Sequence, residues 1–281
     1  MTKGLISIIV PCYMKDNYLA DTLDSVISQT YAHWECIIVN DGSPDNTEAI
    51  AKKYCNRDNR FRYLFQHNSG LSNSRNNGIK ASSGEYILPL DADDIIGNTY
   101  LEKAITHFNS YPYTKLVYCK ARKFGVENGI WELPPYDYDK LMWNNCLFCT
   151  SMYRRADYDK TSGYNSNMKY GLEDWDFWLS LLKKDDVIYQ IDEILFFYRT
   201  TSNSMIKKIS DNTKKMHRQL VINHPEVYSN HFQDLIDLKL QIQSLQEALS
   251  HANYEIGRIT HRRVFQITDK VSHFLKRLCC R

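Results

Sequence analysis

Short apolar runs alternate with helix-forming segments in the N-terminal part of the chain, and this alternation restricts the fold more than any other feature. Leu5–Val10 is an almost continuous apolar run, which is typical of a strand buried on both faces of a parallel sheet. Further runs of strand length follow at Glu35–Asn40, Phe61–Phe65 and Tyr86–Leu90, with segments of helical periodicity between them. The sequence therefore predicts an α/β fold with a mostly parallel central sheet flanked by helices.

Polar stretches follow three of these predicted strands. They are Pro11-Cys12-Tyr13, Asp41-Gly42-Ser43 and the acidic stretch from Asp91 to Asp94. In an open α/β sheet, ligands bind beyond the carboxyl ends of the strands, so the fold would bring the three stretches to one edge. Each stretch alone is compatible with a surface turn, but that interpretation is much weaker for all three together.

The acidic stretch places three carboxylates, Asp91, Asp93 and Asp94, within four residues. Carboxylates this close repel one another and lose hydration unless a cation lies between them. Mg²⁺ and Mn²⁺ prefer oxygen ligands and suit such a cluster. The alternative is a solvated acidic turn that caps the next helix, and the stretch alone favours neither interpretation.

Two other charged positions point to chemistry. Arg75 lies in a helix predicted over 70–81, where its guanidinium could bind a phosphate bidentately or form an ordinary surface ion pair. Glu173 and Asp174 precede a segment with a heavy apolar face that includes Trp175 and Trp178. They could be a plain acidic helix start or could hold a carboxylate rigidly as a general base.

The segment between these positions is less regular. Residues 126–145 carry several aromatic side chains, which could form a platform for a sugar or pack in the interior. Strands are predicted at 116–123, 148–154, 187–191 and 194–198, before a polar loop that starts at Arg199.

Composition limits the class of protein. The chain has 281 residues and a net charge of +2, which argues against nucleic acid as a general partner. Its 8 cysteines do not form a disulfide framework, and the single Cys146-x-x-Cys149 pair lacks a second pair at zinc-like spacing. No signal-peptide pattern and no apolar run of about 18 residues is found, so we expect a cytoplasmic protein.

The character of the chain changes after residue 205. We expect a catalytic domain over 1–205, a basic helical connector over 206–230 and a coiled-coil helix over 231–260. Apolar residues recur there from 235 to 259 with the spacing of a and d heptad positions, which predicts a homo-oligomer, although a helix docked on the globular domain would show a similar stripe.

The last stretch, 261–281, carries six basic residues and one acidic residue beside an apolar stripe. A basic amphipathic helix predicts contact with the inner face of a membrane, and the alternative is a solvated basic tail.

The motifs Pro11-x-Tyr13, Asp41-Gly42-Ser43, Ser74-Arg75-Asn76-x-Gly78, Asp91-x-Asp93-Asp94 and Glu173-Asp174 occur in this order. In that order they resemble the motifs of family 2 glycosyltransferases, which have the GT-A fold. The resemblance covers residues 5–205 and extends less specifically to bacterial capsule and cell-surface polysaccharide enzymes. It implies inverting transfer of a sugar from a nucleotide-diphosphate sugar, a UDP-sugar in our prediction, to a hydroxyl of a glycan or lipid-linked saccharide.

The resemblance also implies roles for single residues. Pro11 and Tyr13 would line the base pocket, and Asp41 would bind the uracil or ribose side of the nucleotide. Arg75 would lie near the base and phosphates, and Arg199 would contact the diphosphate.

The remaining implied roles concern the metal and the proton. Asp93 would bind Mn²⁺ or Mg²⁺ directly, and Asp91 would hold the ribose or a water on the metal. Asp174 would be the catalytic base, with Glu173 beside it.

The chain departs from the family pattern at two places. It has Met14-Lys15 where many relatives have Asn or Glu, and Thr200-Thr201 where many have a His that completes the metal shell.

Two rival hypotheses remain. A sugar nucleotidyltransferase would usually show a glycine-rich phosphate loop, and 11–15 contains no glycine. An inactive scaffold working through its coiled coil would be favoured by loss of Asp93 or Asp174, and both are present.

Overall fold

The computed structural model describes residues 1–201, 212–229 and 232–279, except for the side chains of 232–235 and 261–279. The chain divides into two compact units, Met1–Pro225 and Glu226–Arg281. The first unit extends past the predicted boundary at residue 205, because it includes a helix at Thr213–Asn223. Residues 202–211, which include the first part of the predicted basic connector, lie outside the described residues.

The first half of the sheet is parallel, with strand order β3-β2-β1-β4. Its elements along the chain are β1 (Thr2–Cys12), α1 (Leu19–Ile27), β2 (Trp34–Asp41), α2 (Thr47–Arg57), β3 (Phe61–Gln66), α3 (Leu71–Ala81) and β4 (Gly84–Pro89). All four predicted strands of this half are present. Helix α1 begins at Leu19, after a turn in which the N–H groups of Tyr18 and Leu19 donate to the carbonyl of Lys15.

Strands β1 and β2 form the centre of this half. Every residue of β2 is buried, as are the last seven residues of β1, which explains why the runs are apolar without alternation. Helix α3 lies directly on these two strands at Gly78. A Cβ atom at Gly78 would approach Ile9 Cγ2 to 2.5 Å and Val39 Cγ2 to 2.9 Å, so only glycine permits this approach.

The second half continues the sheet in the order β8-β6-β9-β5, with the short β7 paired to β6. Its elements are β5 (Ile95–Ile96), α4 (Tyr100–Ser110), β6 (Thr114–Gly125), β7 (Gly129–Trp131), α5 (Tyr138–Leu141), β8 (Met152–Arg154), α6 (Arg155–Tyr158), α7 (Glu173–Leu181) and β9 (Val187–Thr200). Strands β6 and β9 are parallel, whereas β8 and β5 pair antiparallel with their neighbours.

Two strand predictions in this half were wrong in detail. The two strands predicted at 187–191 and 194–198 are one continuous strand, β9, whose register to β6 shifts around Cys119 and Ala121. The strand predicted at 148–154 exists only as Met152–Arg154. A local sequence pattern does not show whether a polar interruption ends a strand or becomes a bulge within it.

Helix α7 is held from two sides. Phe177 and Trp178 are fully buried and contact the ring of Tyr153 on β8. On the other side, Asp176 Oδ1 accepts hydrogen bonds from Asn223 Nδ2 (2.6 Å) and from His224 Nε2 (3.1 Å). Asn223 ends α8 (Thr213–Asn223), so this helix belongs to the support of α7.

The C-terminal elements are α9 (Pro225–Ser229) and α10 (Phe232–Cys279). Helix α10 has 48 residues. Leu238, Ile242, Leu245 and Leu249, four members of the predicted heptad stripe, are each about half or more exposed. Among the helices of the described residues, none combines the length and the apolar character that crossing a membrane requires.

Candidate active site

A buried arginine joins two of the predicted motifs. Arg75 on α3 is 1% exposed, and its guanidinium donates to Glu173 Oε1 (2.7 Å) and to Asp91 Oδ1 (2.8 Å). Burial lowers the pKa of Arg75, but the two carboxylates more than offset this, and the net pKa lies well above the ordinary value. Arg75 is therefore neither a surface ion pair nor a free phosphate ligand. Its charge fixes the acidic stretch after β4 against the start of α7.

Asp94 is the most buried member of the acidic stretch, with 1% exposure. Its Oδ1 accepts the backbone N–H of Arg199 (2.8 Å), while Oδ2 has no hydrogen-bond partner among the described residues. Burial and the neighbouring Asp93 and Asp91 raise the pKa of Asp94 well above its usual range. An unpartnered oxygen of a buried carboxylate is costly unless it meets a cation or a proton.

Asp93 faces a different partner. Its carboxylate forms an ion pair with the ammonium of Lys15, and its backbone carbonyl accepts from Arg199 Nε (2.8 Å). The other end of the Arg199 guanidinium binds Asp21 (2.8 Å). Burial raises the pKa of Asp93, and the Lys15 charge opposes this rise. Arg199 is thus bound to Asp21 and to the backbone of the acidic stretch.

A divalent cation fits these residues. Ligand atoms of Asp91, Asp94 and Cys149 lie within 4.8 Å of one another, and the orphaned Asp94 Oδ2 belongs to this group. Two carboxylates suit Mg²⁺ or Mn²⁺. Burial and Asp91 raise the pKa of the Cys149 thiol, which disfavours the thiolate in the free protein. The assignment of Asp93 as a direct metal ligand stays a prediction.

Asp41 at the end of β2 is held by donors on the loop after β3. Its carboxylate accepts from Ser69 N (2.8 Å), Gly70 N (3.0 Å) and Gln66 Nε2 (2.7 Å). Gly42 follows in the left-handed region, with φ of 68°, and a side chain there would meet the backbone of Asn68. The carboxylate therefore fixes the loop that lies at the nucleotide side of the predicted site.

The turn after β1 is also held in place, by a hydrogen bond to the turn after β2. Pro11 lies within β1 and pairs with Val39, whereas Tyr13 is 46% exposed just beyond the strand. Met14 has a left-handed φ of 54°, and its N–H donates to Ser43 Oγ (3.2 Å). The first two strand-end motifs are therefore adjacent in space, as expected from the sheet edge. Their contact with a nucleotide base stays a prediction.

Asp174 lies at the first turn of α7. Leu172, which precedes the helix, has a left-handed φ of 63°, a strained conformation for a leucine. Asp174 Oδ1 accepts the N–H of Trp175 (2.8 Å), and Oδ2 accepts from Asn145 Nδ2 (3.1 Å). Burial and the charge of Glu173 raise the pKa of Asp174 to about 7, against the opposing charge of Arg75. A carboxyl group with such a pKa can take up a proton near neutral pH.

The aromatic side chains of 126–145 were predicted either to form a platform for a sugar or to pack in the interior, and two tryptophans differ in this respect. Trp131 is half-buried and packs against Phe148 and Tyr198 at ring-centroid distances of 4.9 and 4.6 Å, which favours the packing interpretation for this residue. Trp143 is 42% exposed and remains a candidate for sugar contact.

Three residues of the site were not assigned to it from the sequence: Lys15, Asn145 and Cys149. Asp94 belonged to the predicted acidic cluster, but the family resemblance gave it no role as a cation ligand. Lys15 stood out only as a departure from the family pattern. Asn145 and Cys149 carry no local signal, because their partners Asp174 and Asp91 are 29 and 58 residues away in sequence.

Comparisons with known proteins agree with this fold. Residues 7–174 match the family "Glycosyl transferase family 2". TuaG of Bacillus subtilis (strain 168), provisionally named a teichuronic acid biosynthesis glycosyltransferase, is 31% identical over 82% of this chain and 91% of its own length. The glycosyltransferase EpsJ of the same organism, named as uncharacterized, is 29% identical over 72% of this chain, which spans only 62% of EpsJ.

Solved structures give the same fold. Residues 1–349 of S. aureus TarS in complex with UDP-GlcNAc superpose with a TM-score of 0.65 at 19% identity, covering 78% of this chain and 66% of that one. The mannosyltransferase PcManGT of Pyrobaculum calidifontis, in complex with GDP-Man and Mn²⁺, gives a TM-score of 0.59 at 16% identity, with coverage of 79% and 69%. These likenesses confirm the predicted GT-A class of fold. Together with the family match and the similarity to TuaG, they show that the chain belongs to glycosyl transferase family 2.

Proposed function

We propose that this protein transfers a sugar from a nucleotide-diphosphate sugar, with a UDP-sugar as donor, to an acceptor hydroxyl during synthesis of a surface polysaccharide. The configuration at the anomeric carbon is inverted. The observation that carries the proposal is the Arg75 bridge, which holds Asp91 and Glu173 on one guanidinium. It keeps a carboxyl group suited to proton transfer, Asp174, next to a carboxylate cluster suited to a cation and a diphosphate.

Asp174 acts as the general base in this proposal. The acceptor oxygen attacks the anomeric carbon, its proton passes to a carboxylate oxygen of Asp174, and the bond from the anomeric carbon to the diphosphate oxygen breaks. A single in-line displacement inverts the anomeric centre, so one base suffices. Hydrogen bonds from Asn145 and from the N–H of Trp175 fix the carboxylate plane and leave lone pairs for the proton.

The leaving diphosphate gains negative charge as the bond breaks. A bound Mg²⁺ or Mn²⁺ would stabilise that charge as a Lewis acid. Asp91 and Asp94 would hold the ion, and Cys149 belongs to the same group. Asp93, which is paired with Lys15 in the free protein, would join the metal as a further ligand. Arg199 keeps the acidic stretch in place through the Asp93 carbonyl.

The choice of a UDP-sugar rests on the proposed nucleotide side and on analogy. Asp41 organises residues 66–70 by accepting four hydrogen bonds from them and would face the uracil or ribose. TarS, which has the same fold, is described in complex with UDP and with UDP-GlcNAc. PcManGT is described with GDP-Man, so GDP-sugars are the alternative that the test must include.

The test is a donor screen on the full chain. Purified protein is incubated with UDP- and GDP-sugars, Mn²⁺ and acceptor glycans, and release of the nucleotide is measured with and without acceptor. We expect acceptor-dependent release with at least one UDP-sugar. If no donor is consumed and UDP does not bind, the proposed function is wrong. Release of pyrophosphate from a nucleoside triphosphate and a sugar phosphate would instead indicate a nucleotidyltransferase.

The C-terminal unit is proposed to pair with a second copy through 235–259. Exposed apolar residues at a and d spacing support this, because a single chain leaves them in water. Leu245→Asp should convert the oligomer to a monomer in light-scattering measurements. Leu240→Asp is the control, since Leu240 is also more than half exposed but lies off the stripe. An unchanged mass for Leu245→Asp would contradict the coiled coil.

Contact of 261–281 with an anionic membrane surface is proposed from the sequence pattern alone. Vesicle co-sedimentation of the full chain and of a chain ending at residue 260 tests it. Equal binding by both forms would exclude the tail as the membrane contact.

A further inference from the structure

Lys15 is the one cationic side chain that meets the carboxylate of Asp93 among the described residues. The two groups form an ion pair, with the lysine side chain 34% exposed and the Asp93 side chain 17% exposed. Asp91 and Asp94 also act on the ammonium electrostatically. The ammonium therefore lies at the rim of the group that fits a divalent cation. Two cations cannot neutralise the same carboxylate without repelling each other.

The backbone of the turn after β1 directs Lys15 toward this position. Met14 takes a left-handed conformation that is unfavourable for its side chain, and its N–H is fixed by Ser43. On the other side of Lys15, the Asp16 N–H donates to Asp45 Oδ2 (3.1 Å). The residue is thus held from both sides by the turn after β2. A long flexible stem on a fixed backbone lets the ammonium change partner while its origin stays in place.

The three carboxylates of the acidic stretch are neutralised to different degrees. Asp91 shares Arg75 with Glu173, Asp93 has Lys15, and Asp94 Oδ2 has no hydrogen-bond partner among the described residues. An arriving cation would find one oxygen of each of two carboxylates free of cationic partners, Asp91 Oδ2 and Asp94 Oδ2, whereas Asp93 is already paired with Lys15. A donor diphosphate would bring negative charge to the same edge and would compete with Asp93 for the ammonium.

We propose that Lys15 is a resident counter-ion of Asp93 that opposes binding of a divalent cation to the free protein, and that its ammonium moves to the donor diphosphate when cation and donor bind together. The proposal rests on the proposed function for the nature of the donor. It makes Lys15 a diphosphate-binding residue and couples two binding events. The cation binds weakly alone and tightly with the diphosphate, because only the diphosphate offers the ammonium another partner.

Lys15→Met tests the first half without any nucleotide. Mn²⁺ binding is measured on the full chain by electron paramagnetic resonance of the free ion. One opposite charge changes the proton affinity of a neighbouring carboxylate by roughly one to three orders of magnitude, so we expect Mn²⁺ to bind at least about tenfold more tightly to the variant. Lys15→Arg, which keeps the charge, should stay near wild type.

Lys115→Met is the matched control. Lys115 forms an ion pair of similar burial with Asp157 at 2.6 Å, away from the acid cluster, and the substitution changes net charge equally. Its Mn²⁺ affinity should equal that of wild type. Lys15→Gln replaces Lys15→Met if the latter does not fold, as judged by circular dichroism.

The second half compares UDP with uridine by calorimetry at saturating Mn²⁺. We expect Lys15→Met to weaken UDP about tenfold and to leave uridine unchanged, since only UDP carries the diphosphate. Unchanged Mn²⁺ affinity overturns the proposal, and so does an equal loss for UDP and uridine. If wild type binds neither nucleotide, the proposed donor is wrong, and the Mn²⁺ titration still decides the role of Lys15.

Discussion

The carboxylates at the two ends of the site are held in different ways. Asp41, at the proposed nucleotide side, accepts hydrogen bonds from two backbone N–H groups and from the neutral side chains of Gln66 and Ser69. The acidic stretch and α7 depend instead on charged side chains, chiefly Arg75 and Lys15. A backbone donor cannot leave without unfolding its loop, whereas an ammonium can exchange one anion for another. The proposed nucleotide side is therefore held by fixed backbone contacts, and the proposed diphosphate side by charged groups that can change partner.

The largest effect that we expect comes from Asp174→Asn. The amide cannot take the acceptor proton, so the transfer rate should fall by a factor of about 10² to 10⁴, while UDP affinity stays near wild type. Rates from single-turnover measurements and UDP affinity from calorimetry check this. Asp185→Asn, an exposed position on the same unit, is the control for loss of charge. A normal transfer rate in Asp174→Asn would place the base elsewhere.

Arg75→Met tests the charged side of the comparison through stability. Removal of the guanidinium leaves the carboxylates of Asp91 and Glu173 without their counter-ion. Breaking a buried ion pair in this way costs about 3–5 kcal/mol of unfolding free energy. Arg155→Met is the matched control, because Arg155 is also buried but donates only to the neutral oxygens of Gly84, Ile79 and Ser82. Urea denaturation should show a clearly larger loss for Arg75→Met. Equal losses would mean that the charges of the bridge contribute nothing beyond its hydrogen bonds.

Asp41→Asn tests the backbone-held side. The Ser69 N–H donates to Oδ1 and the Gly70 N–H to Oδ2, and in asparagine one of these two positions becomes an NH2 group, which cannot accept either N–H. We expect a loss of about 1.5–3 kcal/mol in unfolding free energy and weaker UDP binding. Asp137→Asn, at a helix start that also receives two backbone N–H groups, should cost stability but leave UDP affinity unchanged. Undiminished UDP binding by Asp41→Asn would remove Asp41 from the nucleotide side.

The pH dependence should be the mildest effect. Asp174 must be ionised to accept a proton, so with a pKa of about 7 the rate should rise about tenfold per pH unit below that value and level off above it. The same elevated pKa means that the folded protein holds a proton which the unfolded chain has lost. The contribution of Asp174 to unfolding free energy therefore falls as pH rises from 3.8 to about 7. A rate that is flat from pH 5 to 8 would contradict the proposed base.

The sequence predicted the fold well where apolar residues follow one another along a single strand. The apolar runs of β1 and β2 are buried on both faces, and their pattern needs no knowledge of distant residues. Prediction was poorer for β9, because the polar pair Asp192-Glu193 looks like a strand end but is part of one continuous strand beside β6. That outcome depends on a neighbouring strand and not on the local pattern.

In the site, too, local patterns could be predicted from the sequence and contacts between distant residues could not. The motifs at the strand ends could be read from the sequence because the sheet edge collects them. The pairing of Lys15 with Asp93 could not, since the partners are 78 residues apart and many acids could have received that lysine. Arg75 was expected near the phosphates, yet its burial on two carboxylates follows only from how closely α3 lies on the sheet.

Gly78 determines that closeness, and it lies one helical turn beyond Arg75. The absence of a side chain there sets the distance between α3 and the sheet, and through it the reach of the guanidinium to Glu173 and Asp91. A methyl group at this position would push α3 away from the sheet. It would thereby displace the Arg75 guanidinium from its carboxylate partners, although it contacts neither donor nor acceptor itself. The alignment of the chemistry is thus controlled from the hydrophobic face of a helix, by a residue without a functional group.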